Sequence, residues 1–165
     1  MILYIVRHAI AFERDAGKWP DDSRRLLTDK GEAKFRKVAR ILRRMELKVD
    51  TCLSSPYARA WQTGEILHEE ADWPSPVALP PLQPDGTPTG VVKALGKYKG
   101  AALALIGHEP GLSQLLAHLL VGDAADAIGS MKKGAIACLE FDNRPASGKG
   151  RLLWLATPKI LLQQT

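Results

Sequence analysis

The stretch ILYIVRHA at residues 2–9 constrains the fold more than any other segment of this 165-residue chain. Its first five residues are all apolar or aromatic, several are β-branched, and no polar residue alternates with them. Such a run is typical of a strand that is buried on both faces and is therefore central in a parallel sheet. The strand ends in Arg7 and His8, at the place where open α/β sheets collect their ligands. Both are candidate site residues, and a strand that simply ends in two solvated polar residues is the alternative.

Predicted strands and helices alternate along the rest of the chain. The strands are predicted at residues 49–53, 77–79, 101–107, 135–141 and 152–156. The helices are predicted at residues 30–44, 56–67, 91–95 and 110–120. This order predicts an α/β fold with a mostly parallel central sheet, helices on both faces and a C-terminal hairpin. A chain of this length fits one domain, so residues 1–165 are interpreted as a single domain.

Three of the strand–helix units place a charged or polar side chain just beyond a strand. Arg7 and His8 follow the first strand, Arg59 lies one turn into a helix, and His108 follows the strand at 101–107. We expect these side chains to converge, because the carboxyl ends of parallel strands meet at one edge of the sheet. Guanidinium groups bind phosphate oxygens bidentately, and the helix starting near Pro110 adds its N-terminal dipole. The sequence therefore predicts a phosphate pocket.

Two histidines beside a bound phosphate suit an in-line phosphoryl transfer. One histidine attacks phosphorus as the nucleophile, while the other, in its protonated form, stabilises the charge on the equatorial oxygens. Water then hydrolyses the phosphohistidine intermediate. The chain has no cluster of carboxylates suited to holding a metal, and we expect neither a metal nor another cofactor.

These features together resemble the histidine phosphatase, or phosphoglycerate mutase-like, superfamily. The resemblance rests on the Arg-His pair after the first strand, the segment SSPYARAWQT that carries Arg59, and the Gly107-His108 pair. The short length and the run RLLT at residues 25–28 followed by Gly31 look most like the SixA branch of small bacterial phosphohistidine phosphatases.

The resemblance implies a role for each matching residue. It makes His8 the nucleophile, with Arg7, Arg59 and His108 forming the phosphate pocket and Arg25 as a further contact. The family usually has glycine after the Arg-His pair, whereas this chain has Ala9. One additional methyl group is a small departure and leaves the assignment standing.

The proton donor is where the chain departs further from its relatives. Many relatives have a glutamate in the segment matching residues 82–84, or an aspartate directly after the second histidine, and here those positions hold Gln83 and Glu109. An alkoxide leaving group needs a general acid, whereas the imidazole of phosphohistidine can leave as a neutral group. Glu109 either acts as an acid with a pKa raised by burial, or it stabilises the start of a helix.

Three functions follow from this pocket. The first is a metal-independent phosphatase that hydrolyses phosphohistidine on a partner protein, with Arg7, His8, Arg59, His108 and Glu109 as the candidate catalytic residues. The second is a broad phosphomonoesterase that acts on small phosphate esters with Glu109 as the acid. The third is a catalytically silent module that only binds phosphate, although the nucleophile His8 would be unnecessary there.

Composition limits where the chain acts and what it contacts. Cys52 and Cys138 lie in predicted strands and are interpreted as buried thiols in a reducing cytoplasm. No segment approaches the roughly 18 apolar residues of a membrane span, so no membrane contact is expected. Much of the net charge of +5 comes from the helix at 30–44, whose basic face serves solubility or docking. Aromatic residues do not interleave with the basic residues of this face, so nucleic acid is not an expected partner. The chain is expected to be a monomer.

Overall fold

Six strands form one sheet in the part of the chain that the computed structural model describes, residues 1–122 and 129–163. The strands are β1 (Ile2–Arg7), β2 (Thr51–Ser54), β3 (Val77–Ala78), β4 (Ala102–Gly107), β5 (Ile136–Glu140) and β6 (Arg151–Ala156). The helices are α1 (Asp29–Arg44), α2 (Ala58–Ala71), α3 (Pro88–Leu95), α4 (Gly111–Val121) and α5 (Pro158–Leu162). Short 3₁₀ helices span Asp22–Arg24 and Pro80–Leu82.

The sheet has the order β3-β2-β4-β1-β5-β6, so β1 is an interior strand as predicted. It pairs in parallel with β4, in a register that places Arg7 opposite Gly107, and antiparallel with β5. β2 pairs in parallel with β4 on the other side, and β5 and β6 form the predicted antiparallel hairpin. The predicted α/β fold is confirmed, and the ends of β1, β2 and β4 meet at one edge of the sheet.

Both faces of the sheet are covered, which explains why polar residues do not alternate in β1. Leu3 and Ile5 pack into a core beneath α3 and α4, whereas Tyr4 and Val6 pack into a second core beneath α1, α2 and α5. All four side chains are at most 5% exposed. A strand that contributes to two cores must be apolar on both faces.

The start of α2 differs from the prediction that a helix begins at Pro56. The backbone is still extended at Tyr57, whose carbonyl oxygen accepts the first helical hydrogen bonds, and the helix begins at Ala58. The Tyr57 amide donates to Ser55 Oγ at 3.3 Å, which holds the turn between β2 and α2. As a consequence, Arg59 lies in the first turn of the helix.

The predicted basic face of residues 30–44 is partly neutralised by α2. Arg36 forms ion pairs with Glu69 and Glu70 at 2.7 and 3.1 Å, and Arg40 pairs with Glu70 at 2.7 Å. Arg36 and Arg40 of the predicted basic face are therefore paired with carboxylates of α2. Sequence periodicity could not reveal this, because the acidic partners lie about 30 residues further along the chain.

Two further findings concern the cysteines and the membrane. Cys52 and Cys138 are buried free thiols, as predicted, and burial raises their pKa values to about 12 and about 11. In residues 1–122 and 129–163 there is no helix with the length and apolar character that a membrane span requires.

Gly31 brings α1 against the chain that follows β1. Thr28 caps the helix by accepting a hydrogen bond from the Gly31 amide at 3.0 Å. A β-carbon on Gly31 would overlap the carbonyl oxygen of Ile10 and lie 2.9 Å from the Ile10 Cβ. That backbone oxygen also accepts from the Thr28 amide, so it cannot move away freely.

We expect Gly31→Ala to lower the free energy of unfolding by roughly 1–3 kcal/mol, because the overlap forces the backbone apart. Urea denaturation measures this change. Gly111→Ala is the matched control, since the nearest atom to its β-carbon is 3.9 Å away, and its stability should not fall. Equal losses in both variants would contradict the steric argument.

Candidate active site

The predicted site residues meet at the edge where β1, β2 and β4 end. His8 follows β1, His108 follows β4, and their ring centroids lie 5.1 Å apart. His8, Arg59 and His108 are each at most 5% exposed. They line a cavity of about 410 Å³ whose other lining residues are Arg7, Glu13, Arg14, Asp22, Arg25, Tyr57, Pro84, Glu109 and Lys133. The structure thus brings together all six residues that the sequence singled out.

His8 is oriented and kept neutral by its surroundings. Its Nδ1 lies 2.7 Å from the carbonyl oxygen of Ala9, which can only accept, so Nδ1 carries the proton and Nε2 keeps its lone pair. Burial is the main cause that lowers the pKa of His8 to about 3; the hydrogen bond to Ala9 opposes this, and Arg59, Arg7 and Arg25 add to it. A neutral imidazole with a defined tautomer is ready to act as a nucleophile.

His108 is neutral too, which differs from the protonated form expected from the sequence. Burial, together with the smaller effects of His8 and Arg59, lowers its pKa to about 2. Its Nε2 lies 2.9 Å from Ser55 Oγ, while Nδ1 is buried with no partner among the described residues. The cationic surroundings disfavour a second charge, so only an anionic ligand in the pocket would favour the imidazolium. Sequence analysis did not identify Ser55, although it lies in the turn that leads to Arg59.

Asp22 holds two of the pocket's arginines, and sequence analysis assigned it no role. Its carboxylate lies 2.8 Å from Arg25 Nε and 3.1 Å from Arg59 Nη2. Its backbone carbonyl accepts a third bond, from Arg59 Nη1 at 2.9 Å. The hydrogen bond from Arg25 holds the pKa of Asp22 below its usual value, despite partial burial. Its only sequence signal is an acidic pair in an unusually long loop.

Several donors around the pocket have no acceptor. Arg7 donates from Nη1 to the Met131 carbonyl, yet its Nε is buried with no partner among the described residues, as is the Nε of Arg59. Unpaired buried donors are costly in a folded protein and call for an explanation at each position. Here they surround a cavity rich in arginine, which fits a ligand with several acceptor oxygens.

Glu109 lines the pocket, but its carboxylate is already engaged. Its Oε1 accepts from Ser113 Oγ at 2.8 Å and from the Met131 amide at 3.1 Å. It lies just before α4, where the helix dipole favours a negative charge. These contacts favour the helix-stabilising interpretation over that of a proton donor. In the segment where many relatives have a glutamate, the residue lining the pocket is Pro84.

The described residues contain no group of three or more His, Cys, Asp or Glu side chains placed to hold a metal ion. The pocket is lined by two imidazoles, four arginines, Lys133 and the three carboxylates of Glu13, Asp22 and Glu109.

We expect His8 to stay neutral, with its proton on Nδ1, between pH 5 and pH 8, because its pKa is lowered to about 3. Protonation becomes favourable only as the pH falls toward that value, so the nucleophile is not lost near pH 6.5, where an ordinary histidine titrates. Two-dimensional ¹H–¹⁵N spectra of the histidine side chains report both the charge and the tautomer. A titration midpoint for His8 near 6.5 would contradict the structure.

Comparison with known proteins gives a consistent set of relatives. Residues 3–82 match the family model of the histidine phosphatase superfamily (branch 1). Phosphohistidine phosphatase SixA of Escherichia coli K12 is 32% identical over 163 residues, which is 96% of this chain and 94% of that protein. A Picosynechococcus protein is 32% identical over 166 residues, 98% of this chain and 99% of its own length. The solved structure of the protein histidine phosphatase SixA complexed with tungstate has a TM-score of 0.82 and 31% identity, covering 96% of this chain and 98% of that one.

Proposed function

This chain belongs to the histidine phosphatase superfamily, and we propose that its substrate is a phosphohistidine carried by a protein. The observation that carries the catalytic part of the proposal is His8, a buried neutral imidazole whose Nε2 faces an arginine-lined cavity. A module that only binds phosphate needs the arginines, but it has no use for an oriented nucleophile.

The reaction takes two in-line steps. In the first, His8 Nε2 forms a bond to phosphorus while the bond from phosphorus to the substrate's imidazole nitrogen breaks. The His8 ring gains positive charge in this step, and the Ala9 carbonyl 2.7 Å from Nδ1 stabilises that charge. In the second step water attacks phosphorus, the bond to His8 breaks, and inorganic phosphate leaves. Arg7 and Arg59 neutralise the phosphoryl oxygens in both steps.

The leaving group favours a phosphoramidate over an ester. An ester leaves as an alkoxide and needs a positioned acid, whereas an imidazole can leave neutral when its second nitrogen carries a proton. Glu109 is the carboxylic acid that the sequence offered for this role, and one of its oxygens already accepts two hydrogen bonds.

The relatives support the same substrate. SixA of Escherichia coli is named as a phosphohistidine phosphatase, and a SixA structure holds tungstate, an anion that resembles phosphate in shape and charge. Both relatives align over nearly the whole of this chain, so the phosphate pocket lies within the shared region.

The test compares wild type with Glu109→Gln on a phosphohistidine protein and on an aryl or sugar phosphate, following released phosphate without added metal. We expect wild type to prefer phosphohistidine strongly, and Glu109→Gln to retain that activity within about threefold, since no acid is needed. Glu65→Gln, on the exposed side of α2, is the matched control. If wild type hydrolyses the ester faster than phosphohistidine, and Glu109→Gln loses this ester activity, the protein is a monoesterase. Phosphate binding without release from any substrate would establish the silent module.

A further inference from the structure

A second cavity of about 920 Å³ lies beside the phosphate pocket and has more than twice its volume. It opens at the surface between the long loop after β1 and the start of α2. Its lining includes Lys18, Trp19, Arg24, Leu26, Pro56 and Trp61. We call it the loop groove. None of these residues takes part in the phosphatase reaction described above.

The loop groove and the phosphate pocket share one wall, which is built from the segments 21–25 and 56–59. Neighbouring residues face opposite sides of it: Arg24 lines the groove while Arg25 lines the pocket, and Ala58 lines the groove while Arg59 lines the pocket. The same holds for Asp21 and Asp22, and for Pro56 and Tyr57. Since adjacent Cα atoms are about 3.8 Å apart, a molecule held in the pocket lies directly beside the groove.

The floor of the loop groove is apolar and aromatic. Trp19 stacks against Phe12 with ring centroids 5.9 Å apart, and Leu26 is 40% exposed despite its size. The indole nitrogen of Trp19 is buried with no acceptor among the described residues. Trp61 and Pro56 complete this surface. Partly exposed aromatic side chains and an exposed leucine beside an unpaired donor are typical of a site that a polypeptide covers.

The rim of the loop groove carries a net positive charge, from Lys18 and Arg24 against Asp21. Lys18 and Arg24 form no ion pair within the part of the chain that the structure describes, and both are exposed. Asp21 is the acidic residue of the lining, and its Oδ1 is occupied by the Ser23 amide and hydroxyl at 3.0 and 2.6 Å. A partner with acidic side chains is therefore complementary to this rim.

We propose that the loop groove binds the polypeptide segment that flanks the phosphohistidine of the substrate protein, through apolar and acidic side chains of that segment. This inference rests on the proposed function. When a phosphohistidine is bound in the phosphate pocket, the polypeptide of the substrate protein lies at the mouth of that pocket, next to the shared wall. A small phosphorylated molecule fills the pocket without reaching Trp61 or Arg24. The groove therefore discriminates protein-borne phosphohistidine from small phosphorylated compounds.

The experiment compares three substrates: free phosphohistidine, a phosphohistidine peptide flanked on both sides by leucine and aspartate, and the same peptide flanked by glycine and serine. For wild type, we expect kcat/KM on the leucine–aspartate peptide to exceed that on the glycine–serine peptide at least tenfold, through a lower KM. The double variant Arg24→Glu/Trp61→Ala should abolish this preference and leave free phosphohistidine unaffected. Arg24→Glu alone, an exposed change that leaves the core intact, should reduce the preference several-fold.

Lys37→Glu and Leu153→Ala are the matched controls, since they make the same kinds of change on exposed parts of α1 and β6. Both should keep the wild-type preference. Two outcomes would show that the groove proposal is wrong while the proposed function stands. In the first, wild type hydrolyses all three substrates without a preference; in the second, Arg24→Glu/Trp61→Ala keeps the wild-type preference. If wild type hydrolyses none of them, both proposals fall.

Discussion

His8→Ala should abolish phosphate release, with a loss of roughly 10⁴-fold or more in kcat on phosphohistidine. The structure offers no substitute at the same place. His108 is the other imidazole in the pocket, but its Nε2 lies against Ser55 Oγ and its ring centroid is 5.1 Å from that of His8. Loss of the nucleophile removes the covalent pathway, and only binding and charge stabilisation by the arginines remain.

Two measurements check this prediction. Steady-state release of phosphate gives the loss of activity, and a rapid quench at alkaline pH with labelled substrate detects phosphorus on the protein. We expect label on wild type and none on His8→Ala. His68→Ala is the control, because His68 is exposed on α2 away from the pocket, and it should retain wild-type activity. Label that persists in His8→Ala would assign the nucleophile to another residue.

Arg59→Ala should reduce kcat/KM by roughly 10²–10³-fold, the loss typical of removing one donor that stabilises developing charge. Arg59 is 4% exposed, and Asp22 fixes it through both the carboxylate and the backbone carbonyl. The Arg59 guanidinium is therefore already in position and does not have to move when the phosphoryl group binds. Burial and the neighbouring Arg25 lower the pKa of Arg59, so its charge lacks full compensation until an anion binds.

Arg59→Lys separates charge from geometry. A lysine keeps the charge but loses the planar fork that Asp22 holds, so we expect it to recover less than a tenth of the lost activity. Arg44→Ala, on the exposed side of α1, is the matched control and should have no effect. Thermal unfolding shows whether each variant is folded. Full recovery by lysine would show that the pocket needs only a positive charge there.

The sequence by itself determined the sheet and which residues meet at its edge. The apolar run of residues 2–6 required a strand covered on both faces, and the alternation of strands and helices predicted that most strands of the sheet run parallel. Once those strands are parallel, their carboxyl ends coincide, and Arg7, His8, Arg59 and His108 must lie together. Burial patterns follow from local periodicity, which a sequence displays directly. The strand order and the antiparallel pairing of β1 with β5, in contrast, are decided by the folded chain.

Only the tertiary structure decided how those residues are held and charged. The contact between Asp22 and Arg59 spans 37 residues, and that between Ser55 and His108 spans 53. Such contacts depend on the paths of the loops, which the hydrophobic periodicity of the sequence does not predict. The neutral state of His108 depends on burial and on the arginines around it, which exist only in the folded chain. The loop groove likewise forms from two segments that folding places side by side, because it needs the loop after β1 and the start of α2 to share a wall.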